Sequence, residues 1–584
     1  MIKKLFRQML ATQIISAMTV VLCMLIDSIM IYRYLGVDSM TAYGLTTPIL
    51  LVFAALGSMI SAGIQVMCGK TMANGDQKGT NACFTISVTV AVAIAVVGTA
   101  FILLFTDPVC TLLGAGKPGP DNPVFGLTKD YLRGFIIGAP AFILSQIMVP
   151  YMQLSGNRAR LVAAVIAMTV GDIAMDLLNA FVIKWGTFGM GLASSASYYI
   201  AFVIGIGVFF RKDCVFKFRF QLFSWKRCHR LFYEGIPTLI NQISLVLLTF
   251  SLNKLLMTLG GNLAVASYSL ISTIGNLCYS FSSGTAAVAL TLATIFYTDT
   301  DKTSLRQLVR TMSAYAVVIC GIVTLVMQAA AKPLVMLFTD QQEAIDMAVR
   351  GLRIFTLSLV PCALNTCLKN YYQGIGRVKL SMVISVCQNF LLTALAAYVL
   401  SLFLKVTGVW SGYLAGELLT LTVITAVAFV RSRKAGAAFN MDAYSMLPEG
   451  FGAKDSDCFE CSVTSLDDIV EASQSALDFC LSKKIPSKLS MIIALSIEEM
   501  GNNIVKHGFN DGKPHMIDIR VALVDDASIL RIRDNCKRFD PVKYMEMHNN
   551  DDPSKHIGIR MIMSLVKNAN YVNSLGLNNL TLTL

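Results

Sequence analysis

Charge is what this chain has least of. Only 14% of its 584 residues are Asp, Glu, Lys or Arg, against 55% hydrophobic residues and a mean hydropathy of +0.62. That scarcity excludes an ordinary soluble domain for most of the chain. The apolar runs contain no GxxxxGK[ST] loop, which excludes a pump driven by a P-loop nucleotide site within them. Fifteen cysteines form no disulfide framework, and the single Cys458–Cys461 pair has no second pair to complete a zinc site. Lys3, Lys4 and Arg7 precede the first apolar run, but no small-residue cleavage site follows it. It therefore reads as a membrane span, not a signal peptide.

What is present is a succession of runs matching the roughly 20 helical residues that cross a bilayer. Spans are predicted near 10–34, 45–68, 82–106, 131–153, 161–184 and 189–210. A second six follow near 236–259, 265–296, 311–337, 352–373, 380–404 and 408–431. The segment RKDCVFKFRFQLFSWKRCHR between the sixth and seventh spans is the most basic in the chain. Arg158, Arg160, Lys302, Arg306, Arg377, Lys379, Arg431, Arg433 and Lys434 fall on its side, which places both termini in the cytoplasm of a cell-membrane protein. The formal charge of +12 fits loops beside anionic lipid and requires no nucleic acid.

Two segments repeat. GVDSMTAYGLTTPI from Gly36 is echoed by GNLAVASYSLISTI from Gly261, with Tyr43 and Tyr268 in the same place. YMQLSGNRARLVAAVIA from Tyr151 is echoed by YYQGIGRVKLSMVISV from Tyr371. Each keeps its rank within its six spans, so the chain reads as two bundles in tandem with a cavity between them. The expected fold is an all-α polytopic membrane protein of twelve transmembrane helices in two six-helix bundles, 1–220 and 221–435. A linker at 436–457 and a cytoplasmic α+β sandwich at 458–584 complete it.

Acidic residues inside the spans are the first functional candidates, since an Asp at a helix centre costs about 2.5–3.5 kcal/mol on insertion scales. Asp27 lies late in the first span. Asp172, Asp176 and Asn179 share one face of the fifth. Two ionised carboxylates there would repel, so one is expected to hold a proton or to share a sodium ion with Asn179. An interhelical polar clasp is the alternative. Glu417 and Lys254 read as end-of-helix or snorkelling charges, Asn241 and Gln242 as interhelical hydrogen bonders. One charge crossing 100 mV is worth about 2.3 kcal/mol, so at about 150 mV a single proton sustains a gradient of a few hundredfold.

Several pieces resemble the multidrug and toxic compound extrusion (MATE) family over roughly residues 1–435. These are LIDSIMIYRYLG in the first span, GKTMANGD after the second, QLSGNRAR after the fourth, GDIAMDLLNAF in the fifth and GIPTLINQ entering the seventh. The resemblance implies export of small organic, often cationic, compounds against an inward flow of H⁺ or Na⁺ by alternating access. Asp27 then matches the acid of the family's first helix and Asp176 that of its fifth. Asp172 falls where many members carry Asn.

Beyond the linker the pattern changes. CFECSVT reads as a strand, DDIVEASQSALDFCLSKK and KLSMIIALSIEEMGNNIVKHGF as helices, and MIDIRVALVDDASILRIRDN as two strands turning at Asp525 and Asp526. IGIRMIMSLVKNA reads as a further helix and NNLTLTL as a closing strand. Glu499, Asn503 and His507 stand at four-residue steps on one helix face. EEMGNNIVKHG resembles the E-x-x-x-N-x-x-x-H-G segment of the Bergerat (GHKL-type) ATP-binding fold, nearest to the anti-sigma-factor serine kinases. That resemblance implies Mg-ATP as ligand, with Glu499 as general base, Asn503 as magnesium ligand, His507 one turn behind, and Asp534 receiving the adenine amino group. The family's D-x-G-x-G stands here as Asp534, Asn535, Cys536, Lys537 and Arg538. Its later glycine motif survives as His556, Ile557, Gly558 and Ile559. Lost glycines remove the close backbone approach to base and phosphates.

The expected function is a proton- or sodium-coupled antiporter with an ATP-binding-like regulatory tail that also meets a cytoplasmic regulatory protein. The alternatives are a membrane-tethered serine kinase whose spans only sense a ligand, and a lipid-precursor flippase.

Overall fold

The computed structural model describes residues 2–584 except 120–121, 208, 211–213, 337, 339–340, 435, 437, 449, 513, 525–526, 548–556 and 575. Some side chains within helices, among them those of 22–25, also lie outside the description. Asp525, Asp526 and His556 are therefore not placed.

Among the described residues, ten helices are long and apolar enough to cross a membrane, or up to eleven when one bent pair counts as a span. The first predicted span is α1 (Ile2–Met30), continued by a π-turn at Ile31–Leu35. Next come α2 (Val37–Ala73), α3 (Gln77–Leu104), α4 (Pro123–Leu154), α5 (Arg158–Leu178) and α6 (Gly186–Ile206). The second set is α7 (Trp225–Gly261), α8 (Leu263–Thr298), α9 (Lys302–Met336), the α10 pair (Gln342–Leu357 and Leu359–Gly374), α11 (Val378–Leu404) and α12 (Val406–Lys434). The span predicted at 352–373 is thus two helices bent by 44°. Pro361 has no N–H for the Leu357 carbonyl, and the helix breaks there.

The internal repeat is written in the backbone. Gly36 (φ 89°, ψ 177°) and Gly261 (φ 60°, ψ −153°) both occupy a region open essentially to glycine alone, each at the turn into the second helix of its half. Gly156 and Gly376, at φ 75° and 78°, close the fourth helix of each half. The halves meet along α1, α2, α7 and α8. A side chain at Gly63 would strike the Leu231 carbonyl, and one at Gly235 the Met59 carbonyl. Lys70 of α2 and Glu234 of α7 form an ion pair across this seam at 2.9 Å.

The tail is an antiparallel five-stranded sheet in the order β1-β2-β3-β5-β4: β1 (Cys458–Val463), β2 (Ile517–Val524), β3 (Ala527–Asp534), β4 (Asn568–Ser574) and β5 (Leu577–Thr583). Four helices accompany it: α13 (Leu466–Ser482), α14 (Ser487–Gly508), α15 (Pro541–Met547) and α16 (Ile557–Leu565). β4 corrects the sequence expectation, which ran the last helix on to residue 569. The helix stops at Leu565, and Asn568–Ser574 pairs along β5. Strand alternation sorts the residues. Ile517, Ile519, Val521, Leu530 and Ile532 face the helices and join Ile469, Ile493 and Ile497 in one core.

The sheet's other face carries Arg520, Arg531 and Arg533, and it lies on the membrane helices. Asp301, fully buried at the start of α9, receives Arg520 Nη1 at 2.9 Å and Arg531 Nη1 at 2.5 Å. It also caps α9 through the Ser304 N–H and hydroxyl at 2.9 and 2.6 Å. Arg533 pairs with Asp299 at 2.8 Å and lies over the Phe296 ring. The first half is touched as well. A side chain at Gly75, in the α2–α3 turn, would collide with Asn570, and Gly576 packs against Gly156. One sheet face therefore spans both halves.

Candidate functional site

Asp27 of α1 faces Asp172 and Asp176 across the contact between α1 and α5, close enough for the three charges to act on one another. All three are buried. Ser194 of α6 donates to Asp27 Oδ2 at 3.4 Å, and among the described residues no amide or hydroxyl donor reaches either oxygen of Asp176. Three facing carboxyls in so dry a place cannot all be ionised without a proton or metal cation among them. Such an arrangement can hold positive charge. Asn179 follows one turn later and opens a π-turn, Asn179–Ile183, a distortion frequent at functional sites. Its amide is committed locally, donating to the Gly186 carbonyl at 3.0 Å and accepting from the Trp185 N–H at 3.0 Å. It fixes the α5–α6 turn beside the acids. Tyr43 and Tyr131, edge to face at 5.3 Å, pack nearby.

The second half carries no acid at the places matching Asp172 and Asp176. Glu417 is not the snorkelling charge that its sequence position suggested. It is buried in α12, accepting from Asn365 Nδ2 at 2.7 Å and Gln388 Nε2 at 3.2 Å. Lys254 is exposed. Asn241 is an interhelical acceptor, taking Asn389 Nδ2 at 2.7 Å and the Lys369 amine.

In the tail, Glu499 and Asn503 are half-buried on one face of α14, while His507 is exposed. The first turn of α16 lies on Glu499 so closely that any side chain at Gly558 would strike its carboxylate. Asp534, at the end of β3, accepts Asn578 Nδ2 and the Cys536 N–H at one oxygen, both at 2.8 Å. Burial pushes its carboxyl above the usual range, against those hydrogen bonds. Cys536 stands where the family has glycine, and its side chain packs on Gly508 at the end of α14. Burial, reinforced by Asp534, pushes its thiol up to about 12, so it is a neutral wedge and not a nucleophile. The residues suited to a nucleotide's magnesium, Glu499 and Asn503, are together. The base end is narrowed by Cys536 and by the partners Asp534 already has.

Sequence reasoning missed Lys369, Asp299, Asp301 and the three docking arginines. The signal for the arginines was present in I-D-I-R-V and I-L-R-I-R-D, where three arginines take non-core positions of two strands, with Asp518 the one acid beside them.

The MatE family model matches residues 13–178 and 237–399, one block in each half, and the histidine kinase-like ATPase domain model matches 463–584. The Multidrug export protein MepA of Staphylococcus saprophyticus is 21% identical over 406 residues, spanning 68% of this chain and 88% of the relative. Its namesake in Staphylococcus aureus is 20% identical over 396 residues, spanning 67% and 86%. Among solved structures, an outward-facing multidrug resistance MATE family transporter of the MOP superfamily superposes with a TM-score of 0.69 at 20% identity, over 76% of this chain and 97% of that one. A MOP superfamily transporter from Pyrococcus furiosus gives 0.68 at 20% identity, over 74% and 96%. At such identities the superpositions establish the fold.

Proposed function

This chain belongs to the MatE family, and from that premise we propose that it is a secondary active exporter of small organic compounds, coupled to H⁺ or Na⁺. The observation that carries this reading is the buried Asp27–Asp172–Asp176 group, three facing carboxyls whose mutual repulsion a proton or sodium ion would relieve. The ion enters from outside, neutralises the acids, and lets the halves exchange access. Cargo then leaves by the opposite route. Transport in proteoliposomes under separately imposed H⁺ and Na⁺ gradients tests it; movement indifferent to both would sink the coupling.

The tail is proposed as a cytoplasmic regulator. With both termini inside, the docked sheet lies on the cytoplasmic side, over the seam that Lys70 and Glu234 close. Cytoplasmic opening must part that seam, so a sheet holding both halves restrains it. A chain ending at residue 435 should keep gradient-driven transport and turn over faster. A membrane-tethered kinase would lose its output altogether.

Glu499 and Asn503 would hold Mg-ATP, with Asn503 on the metal and Asp534 toward the base. The nucleotide would supply a magnesium-bound phosphate group whose binding repositions α16 against α14. Titrating Mg·ATP into the full-length protein should give heat, and Asn503→Ala should weaken binding at least about tenfold, as loss of a metal-site partner does. Cys536→Gly should tighten it by opening the base end. No heat from the folded wild type would make the tail a protein-binding relative of nucleotide-binding domains.

A further inference from the structure

The second half holds a charged group that the acid cluster does not account for. Lys369, in the second segment of α10, is buried and lines a cavity of about 190 Å³ between α7, α8 and α10. Asn241 and Gln242 of α7, Tyr279 and Ser283 of α8, and Thr366 share that wall with it. No carboxylate is among the lining residues. The Lys369 ammonium donates to Asn241 Oδ1, an oxygen already shared with Asn389, and among the described residues it makes no ion pair. Glu417 lies close enough to act on the Lys369 charge, but it is held by Asn365 and Gln388, forms no ion pair with Lys369 among the described residues and does not line the cavity. Three donor protons thus face one shared acceptor, in a space roofed by hydroxyls and amides.

The repeat makes the asymmetry visible. Lys369 stands two residues before Tyr371, and Val149 stands two residues before the matching Tyr151. The first half has acids and no such amine. The second has the amine and, around its cavity, no acid. The cavity also sits against the seam, because its wall residue Gln373 donates to the Glu234 carbonyl at 2.7 Å while the Glu234 side chain holds Lys70.

We propose that this cavity binds the carboxylate of the cargo, with Lys369 as its counter-ion, so that the exporter favours organic anions and zwitterions over plain cations. A carboxylate offers two acceptor oxygens to an ammonium that lacks them, and a charge-assisted hydrogen bond in a dry wall is strong and selective. Neighbouring amide and hydroxyl donors complete the shell. A permanent cation would meet Lys369 as a like charge. This inference rests on the exporter reading above.

The test uses the full chain in detergent and two dyes that differ only in one group, a rhodamine free acid and its methyl ester. The wild type should bind the acid on the order of tenfold more tightly than the ester. Lys369→Gln, which keeps a donor for Asn241, should bind both alike. Lys369→Arg should retain the preference, and each variant's thermal unfolding reports its integrity. Equal binding by the wild type, no binding of either dye, or a preference that survives Lys369→Gln overturns the assignment. Gradient-driven uptake of the same dyes into vesicles separates the two readings. Selective binding without transport defeats the exporter and leaves the site, whereas transport without selectivity defeats the site and leaves the exporter.

Discussion

Asp176→Asn should abolish gradient-driven export while leaving a folded protein in the membrane. The substitution is nearly isosteric and removes only the ability to carry a negative charge. In the wild type, neither Asp176 oxygen accepts from an amide or hydroxyl among the described residues, and on the coupled-exporter reading its partner is the coupling ion, a proton or Na⁺. With an amide there, the group no longer gains and loses a charge as access alternates. The concentration ratio sustained by one coupled charge, a few hundredfold at about 150 mV, should collapse towards one. Facilitated exchange of cargo down its own gradient should survive, because the second half is untouched. Asp27→Asn is expected to behave similarly, since Asp27 faces the same carboxyls from α1. Asp172→Asn should be milder, as it leaves two acids in contact. The measurement is dye efflux in proteoliposomes with and without an imposed ion gradient. Undiminished gradient dependence in Asp176→Asn would remove the site from the acid cluster.

How much of this was legible beforehand depends on the range of the interaction. The spans, the tandem halves and the acids were readable because each is a local property: a run of apolar side chains, a glycine forced to positive φ, a carboxylate where lipid depth forbids one. Gly36 and Gly261 are the clearest case, two glycines at the start of the repeated segments that share one backbone region. The α10 break was missed because hydropathy does not register the N–H that Pro361 lacks. β4 was missed because Asn568–Ser574 has little alternation of its own and becomes a strand by pairing along β5. Lys369 lies near the end of a predicted span, where a lysine usually reaches the interface. Only the packing of α7 and α8 around it turns that lysine into a cavity wall. The docking arginines needed two strands and a helix start to be brought together, and nothing within any one segment announces Asp301 as their target.

That clasp supports the other large effect. Asp301→Asn should release the tail from the membrane helices. Burial alone would raise the Asp301 carboxyl, but Arg531 and Arg520, with Arg533 and Ser304 behind them, hold it well below the usual carboxylate range. Removing its charge leaves Arg520 and Arg531 buried without their main partner, a change that typically costs about 3–5 kcal/mol. Asp299→Asn should cost less, because burial keeps the Asp299 carboxyl above its usual range despite Arg533. The sign of the pH dependence follows. A depressed carboxyl favours the docked state at every pH above its free value, roughly 3.9, and the advantage fades only as pH falls through that value toward the docked one. The Asp301 contribution to docking should therefore be constant between about pH 5 and 8, and nearly insensitive to salt because the pair is buried. The raised Asp299 carboxyl works with the opposite sign and weakens docking as pH rises from its free value toward its docked one. Limited proteolysis in the 436–457 segment and hydrogen exchange of β2 and β3 report release, and a cycle with Arg531→Gln measures the coupling directly. If restraint is the tail's role, Asp301→Asn should speed gradient-driven turnover as removal of residues 436–584 does. Slower turnover with the tail released would mean that the docked sheet assists opening, and an undisturbed tail would mean that the three arginines are not what holds it.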